Sequence, residues 1–360
     1  MPHFILKSSM KMIMTSLFWG VLAAFIAVGA WYLLVARPFS SDFSLAGPSP
    51  TPTVAPLLKY SIDSLSARKP AGKNLRVDAL EDEGEVVAVA EQEFIVRTFS
   101  FETDGRRVSG RLTAPSEPGA YPVIISIRGY VDREIYYPGL GTDRSANYLA
   151  QNGYITLAPD FLGYGTSDDS PIDGLEDRFA TYTTVLDLID LAPEIEASLD
   201  EVGVEGIIPD VDNIGIWAHS NGGQIALTAL AATGGSYPTV LWAPVSKPFP
   251  YNILYYSDEA PDDGKALRKL VADFEDVYEA DEYSFTNYLD QVNAPIQIHQ
   301  GTADEAIPVP WSSLLVELLQ ETDVEVDYLT YPGENHNFNL GSWENVITAT
   351  ERFYSEHLVE

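Results

Sequence analysis

The chain has no cysteine, and that one absence closes several routes. A disulfide framework, a thiolate nucleophile, a cysteine-ligated zinc and a lipid-modified cysteine are all excluded. Histidine is scarce: five residues, at positions 3, 219, 299, 336 and 357. Basic residues are few, with Lys and Arg numbering 21 against 53 Asp and Glu, a formal net charge of −32. Such a surface repels nucleic-acid phosphates and anionic lipid, so neither is an expected partner of the folded part. The plain reading of the acidity is solubility, for instance in a salty medium; attraction of cationic substrates is the sharper one. No metal-ligand cluster and no phosphate-binding loop can be read in the sequence, so no metal and no cofactor is expected.

What is present begins with a long apolar run. Residues 12–36 carry no charge. At about 1.5 Å per residue a helix of this length crosses a hydrocarbon core of roughly 30 Å with some tilt. Lys7 and Lys11 precede the run, and Trp19, Trp31 and Tyr32 suit the interfaces. The positive flank predicts a single-pass anchor in the cell membrane, with the rest of the chain on the extracytoplasmic side; Arg37 opposes this weakly. The alternative is a cleaved signal peptide ending near Val28-Gly29-Ala30, but the apolar run continues past that point. Residues 38–56 are rich in Pro, Ser and Thr and read as an extended tether. Residues 57–93 are mixed, then acidic, and read only as a lead-in. The expected organisation is a cytoplasmic tip and anchor in 1–37, a tether and lead-in in 38–93, and one folded domain in 94–360.

From residue 94 the pattern sharpens. FIVRTFSF and RVSGRLTAP alternate with period two around Asp104-Gly105, a hairpin signal. Then VIISIRG, YITLAPD, IGIWAHS, TVLWAPV, APIQIHQG and VEVDYLTYP read as strands, most of them separated by helical stretches, one of which is placed at about 178–199. Eight strands with this alternation predict an α/β fold, a mostly parallel sheet flanked by helices. Ligands then bind at the carboxyl ends of the strands.

The strongest local signal is IGIWAHSNGGQIALTAL. A buried strand ends at Ala218-His219, Ser220 follows, and a helix begins at once. This is the strand–turn–helix context of a nucleophile elbow, with Ala218 in place of the first glycine of G-x-S-x-G and with Gly222 and Gly223 beyond. Ser220 as a mere helix N-cap is the plainer reading, but it accounts for neither the two glycines nor the buried strand.

A serine hydroxyl needs a base to take its proton. His3 precedes the apolar run, His357 lies near the end of a terminal helix, His299 is inside a strand, and His219, next to Ser220 on a strand, points to the other face. His336, in the polar loop PGENHNF after the last strand, is the expected base. Asp304, just past the APIQIHQG strand, is the expected acid that orients it; Glu305 is its neighbouring alternative. The backbone N–H of Asn221 is the first expected oxyanion donor. The second is assigned to Tyr130, through its backbone or its phenol, in the Arg128-Gly129-Tyr130 turn.

Together, PDFLGYGTSD (159–168), PDVDNIGIWAHSNGG (209–223), IHQGTADEAIPV (298–309) and PGENHNF (332–338) resemble the prolyl oligopeptidase and dienelactone hydrolase branch of the α/β-hydrolases. The resemblance covers roughly 94–358. It implies an α/β-hydrolase fold and a serine hydrolase, peptidase or carboxylesterase, that cleaves a small ester or short peptide through an acyl-enzyme. The chain departs from the family in having Arg128-Gly129-Tyr130 where His-Gly-Gly is frequent. Residues 38–93 are also too few for a β-propeller, which tilts the balance toward an esterase. An acyltransferase with the same triad, or a silent tethered binding domain, stays open as an alternative.

Residues 246–292 interrupt the alternation where such folds place a helical cap. They carry tyrosines at 251, 255, 256, 278, 283 and 288 and many acids. The tyrosines are expected either to line a substrate pocket or to pack in the cap's own core.

Overall fold

A computed structural model describes residues 55–78, 94–260 and 262–358. The apolar run 12–36, the tether up to residue 54 and the acidic stretch 79–93 lie outside the described residues. Among those described, no helix is long and apolar enough to cross a membrane.

The strands are β1 (Lys73–Val77), β2 (Phe94–Thr103), β3 (Arg106–Pro115), β4 (Gly119–Ile127), β5 (Ile155–Pro159), β6 (Ile207–His219), β7 (Thr239–Trp242), β8 (Ile296–Gly301) and β9 (Val326–Tyr331). The helices are α1 (Ile62–Ser66), α2 (Asp143–Gln151), α3 (Gly174–Leu191), α4 (Ile195–Asp200), α5 (Asn221–Thr233), α6 (Tyr251–Leu254), α7 (Lys265–Glu275), α8 (Val309–Gln320) and α9 (Trp343–Leu358). The strands form one sheet in the order β1-β2-β3-β5-β4-β6-β7-β8-β9. From β1 to β5 the pairings are antiparallel. From β5 through β4 to β9 they are parallel. The central strands β5 and β8 are buried along their whole length, as continuous β-rich runs require of a sheet covered on both faces. The β2–β3 hairpin turns at Asp104 and Gly105, both at positive φ, the requirement of a two-residue hairpin turn.

Three expectations need correction. The sheet has nine strands rather than eight, and the folded unit begins at Ala55 rather than at 94. The added strand, β1, is five residues long with only Leu75 and Val77 buried, too short to show a period. What holds this segment is remote in sequence. Arg68 forms a bidentate ion pair with the buried Asp187 of α3, which also accepts from Thr103 Oγ1 at 2.6 Å and from Ala71 N at 3.2 Å. Burial alone would lower the Arg68 pKa, but these carboxylate contacts raise it further above its ordinary value. Finally, the helix placed at 178–199 starts earlier, where the Asp173 side chain caps Leu175 N and Glu176 N, and it ends before Pro193, which has no N–H to continue it.

Residues 246–292 fold into α6, α7 and short 3-10 turns between β7 and β8. Their tyrosines divide. Tyr283 is buried against Phe179, Phe249 and Phe274, and its hydroxyl donates to Leu57 O at 3.1 Å. Tyr278 accepts from Leu57 N at 3.0 Å. Both therefore bind the insertion to the amino-terminal segment and do not face a pocket. Tyr251 and Tyr255 are exposed, and Tyr255 meets Trp311 edge-on at 4.7 Å.

Candidate active site

Ser220 lies between β6 and α5 with φ 54° and ψ −120°, a conformation a β-carbon disfavours. It is held by main-chain hydrogen bonds: its N–H donates to Trp242 O, and its carbonyl accepts from Gly223 N and Val245 N, each at 2.9 Å. Its side chain does not cap α5. The glycines make the turn possible. A β-carbon on Gly222 would lie 2.3 Å from Ile127 O, and one on Gly223 would lie 2.5 Å from Pro244 Cβ. The first turn of α5 thus presses against the ends of β4 and β7 with no room for a side chain.

Asp304 and His336 meet at the adjacent strand ends. His336 Nδ1 donates to Asp304 Oδ2 at 2.9 Å, which leaves Nε2 as the ring's acceptor. Asp304 Oδ1 accepts from Ala306 N and Ile307 N, both at 2.8 Å, and Oδ2 also accepts from Gln300 Nε2 at 3.0 Å. Burial would raise this carboxyl, but the His336 bond and the two backbone donors outweigh it and hold the Asp304 pKa below the ordinary carboxylate value. Glu305, the neighbouring acid, takes no part in this contact.

The ring of His219 lies with its centroid 4.7 Å from that of His336, and His219 Nε2 donates to His336 O at 3.0 Å. The loop carrying His336 is thereby fastened beside the residue that precedes Ser220. Burial and the neighbouring His336 push the His219 pKa down to about 3, so its ring stays neutral. His299, fully buried between Tyr331 OH and Gln297 Oε1, each at 2.7 Å, is likewise pushed down to about 3 by burial.

The turn after β4 closes over the serine. A β-carbon on Gly129 would lie 2.8 Å from Ser220 Cβ and 3.4 Å from Ser220 Oγ. Tyr130 follows with its side chain largely exposed. Gly129, Tyr130 and Asn221 line one cavity of ≈ 650 Å³, with Leu267 and Leu270 of α7 on its far wall. Arg128 also lines this cavity. It is buried, donates to Gly129 O at 2.9 Å and Asp160 O at 2.7 Å, and stacks against Tyr136, Phe161 and Tyr164 at 4.8, 5.3 and 4.1 Å. Asp160 is fully buried and accepts from Ser109 Oγ at 2.6 Å and Tyr136 OH at 2.5 Å; burial raises its pKa despite these bonds.

Several supports escaped the sequence reading. Gln300 takes Ser312 Oγ at 2.6 Å on one side and holds Asp304 on the other. Glu334, buried, accepts from the backbone of Asn335, Leu340 and Ser342 and so shapes the histidine loop. The strand reading of APIQIHQG marked Gln300 as a strand residue but gave no sign of its partners. Glu334 differed in no visible way from many surface acids.

The sequence profile of the prolyl oligopeptidase family matches residues 141–358. The uncharacterized peptidase YtmA of Bacillus subtilis is 26% identical over 247 residues, 67% of this chain and 86% of that protein. Among solved structures, the acetyl xylan esterase of Paenibacillus sp. R4 matches with TM-score 0.56 at 16% identity, over 86% of this chain and 96% of the esterase. A Bacteroides ovatus structure of the dipeptidyl aminopeptidase IV kind matches with TM-score 0.54 at 17% identity over 75% of this chain; this chain spans 36% of that protein. At these identities the structural likeness speaks for the fold, the α/β-hydrolase fold. The profile covers more than half of the sequence and carries the assignment: the chain belongs to the prolyl oligopeptidase family and is a serine hydrolase, of the peptidase and esterase kind.

Proposed function

We propose that Ser220 is the nucleophile, His336 the general base and acid, and Asp304 the group that orients the imidazole, in hydrolysis of a small ester or short peptide through an acyl-enzyme. The observation that carries this is the His336–Asp304 hydrogen bond, fastened by His219 beside a serine in a strained elbow. Ser220 Oγ attacks the substrate carbonyl as its proton passes to His336 Nε2. The oxyanion is received by the backbone N–H of Asn221 at the start of α5 and by that of Tyr130, which follows the glycine packed on Ser220. Collapse returns the proton from His336 to the leaving alcohol or amine. Water activated by the same imidazole then releases the acid. Asp304 stays ionised throughout, in keeping with its depressed pKa.

The same reading places the catalytic domain outside the cytoplasmic membrane, tethered through residues 12–36. It rests on the uncharged length of that run and on Lys7 and Lys11 before it.

A fluorophosphonate probe applied to the full-length chain tests the chemistry. Labelling of the wild type that disappears in Ser220→Ala and falls by orders of magnitude in His336→Ala is expected. Equal labelling of wild type and Ser220→Ala would sink the assignment. Protease shaving of intact cells, with the domain removed and the amino terminus retained, is the outcome expected for the tether.

A further inference from the structure

The ≈ 650 Å³ cavity lined by Tyr130 and Asn221 is also lined by Arg178 of α3. Arg178 differs from the two other arginines there. Arg128 donates to Gly129 O and Asp160 O, and Arg133 donates to Ser170 Oγ at 2.7 Å with Asp177 at 3.6 Å. The guanidinium of Arg178 has no hydrogen bond and no ion pair among the described residues. Its side chain is accessible, yet the protein around it lowers its pKa: burial is the main cause, and Tyr182 and Asp177 oppose it only in part. It is thus a fixed cation whose fork of N–H donors is unused. Asn221 offers a further donor. Asn252 Nδ2 donates to Gln224 Oε1, Gln224 Nε2 donates to Asn221 Oδ1 at 2.7 Å, and Asn221 Nδ2 meets no acceptor among the described residues.

Acids line the same cavity and must be weighed. Asp177 faces Arg133, and Asp132 Oδ1 accepts from Glu134 N at 3.1 Å. Glu134 is exposed on the turn after β4 and meets no cation among the described residues, so it alone opposes an anion without compensation. Arg128, Arg133 and Arg178 together balance Asp132, Glu134 and Asp177, in a chain whose net charge is −32. At physiological salt the remote acids are screened beyond about 8 Å, so these near groups govern an anion that has entered.

We propose that Arg178 is a specificity-determining residue that takes a carboxylate at the far end of the substrate's acyl group, with Asn221 Nδ2 as a further donor. The inference rests on the proposed reaction at Ser220 and adds its substrate class: an ester of a short dicarboxylic acid, esterified at one end. The reacting carbonyl lies at the N–H groups of Tyr130 and Asn221, and the free carboxylate meets the guanidinium fork. The apolar part of the lining, Ile225, Leu267 and Leu270 among it, suits the methylenes that join the two ends. Arg178 sets which acyl group binds and takes no part in the chemistry.

The test compares monoethyl succinate, glutarate and adipate, each against the neutral ester of the same length that carries a terminal carboxamide, with ethanol release followed on the full-length chain. The wild type is expected to favour the half-ester over its amide in kcat/KM, at the length that spans the cavity. Arg178→Gln should lower that preference by about thirtyfold, mainly through KM, and Arg178→Lys by less. Glu134→Gln, which removes the uncompensated acid, should raise it by about threefold. Both positions are exposed, and a merely structural role for Arg178 would lower half-ester and amide alike and leave their ratio unchanged. No preference at any length, or a preference that Arg178→Gln leaves intact, with the fluorophosphonate probe still labelling Ser220, would overturn the carboxylate site and leave the reaction standing. Turnover of no ester together with no labelling at Ser220 would overturn both.

Discussion

The turn after β4 and the loops after β8 and β9 each bury a charge at the carboxyl edge of the sheet, and they use it differently. In the first, Arg128 donates to two backbone carbonyls and lies against three aromatic rings. In the second, Asp304 is equally surrounded, but one of its partners is an imidazole whose second nitrogen remains an acceptor. A guanidinium bonded to main-chain carbonyls holds backbone in place. A charge that ends on a titratable ring can move a proton. On the proposed mechanism, burial by itself does not mark the reacting group; the unspent lone pair at the end of the network does.

The sharpest way to break this contrast is to remove the charge on each side. Asp304→Asn keeps the shape but favours the wrong imidazole tautomer, and kcat should fall on the order of 10⁴-fold with the thermal midpoint little changed. Arg128→Leu should do the reverse. It leaves the carbonyls of Gly129 and Asp160 without their donor, and chemical denaturation should show a loss of about 1–3 kcal/mol, with activity per folded molecule reduced far less than in Asp304→Asn. Equal losses of stability in the two variants would erase the distinction.

A smaller effect is expected where the two regions touch. Gly129→Ala places a methyl 2.8 Å from Ser220 Cβ and must displace one of them. With the reacting atoms moved by a fraction of an ångström, kcat should drop on the order of 10²-fold while the far-ultraviolet spectrum stays native. A fully active alanine variant would show that the turn is not packed on the serine in solution.

The smallest effect is a pH slope. His299 is neutral and buried, with its pKa lowered to about 3, while in the unfolded chain it titrates near its ordinary value. Between those two values the unfolded state binds the extra proton, so stability falls as pH falls. From about pH 7 to about pH 6 the loss from this one group is roughly 0.7 kcal/mol. His219, lowered in the same direction, adds to the slope. A His299→Gln variant, whatever its absolute stability, should show a shallower dependence over this interval in urea titrations; an unchanged slope would mean that His299 titrates in the fold as it does in the unfolded chain.

Much of this was legible in advance because the signals are local. Eight of the nine strands showed as period-two alternation or as apolar runs, and the elbow showed as a serine between a buried strand and two glycines. His336 stood out because so few histidines compete. The nine-strand count, the start at Ala55 and the role of Tyr283 were not legible. Each depends on partners more than a hundred residues away: Arg68 with Asp187, Tyr283 with Leu57.

The sequence by itself determined the hydrolase fold, the order of its motifs and which serine, acid and histidine to compare, because strand period, turn glycines and residue chemistry are written in short stretches. Only the tertiary structure decided that Arg128 turns inward and that His219 fastens the histidine loop. Those outcomes depend on which side chains from distant segments reach the same few ångströms, and no local pattern encodes that.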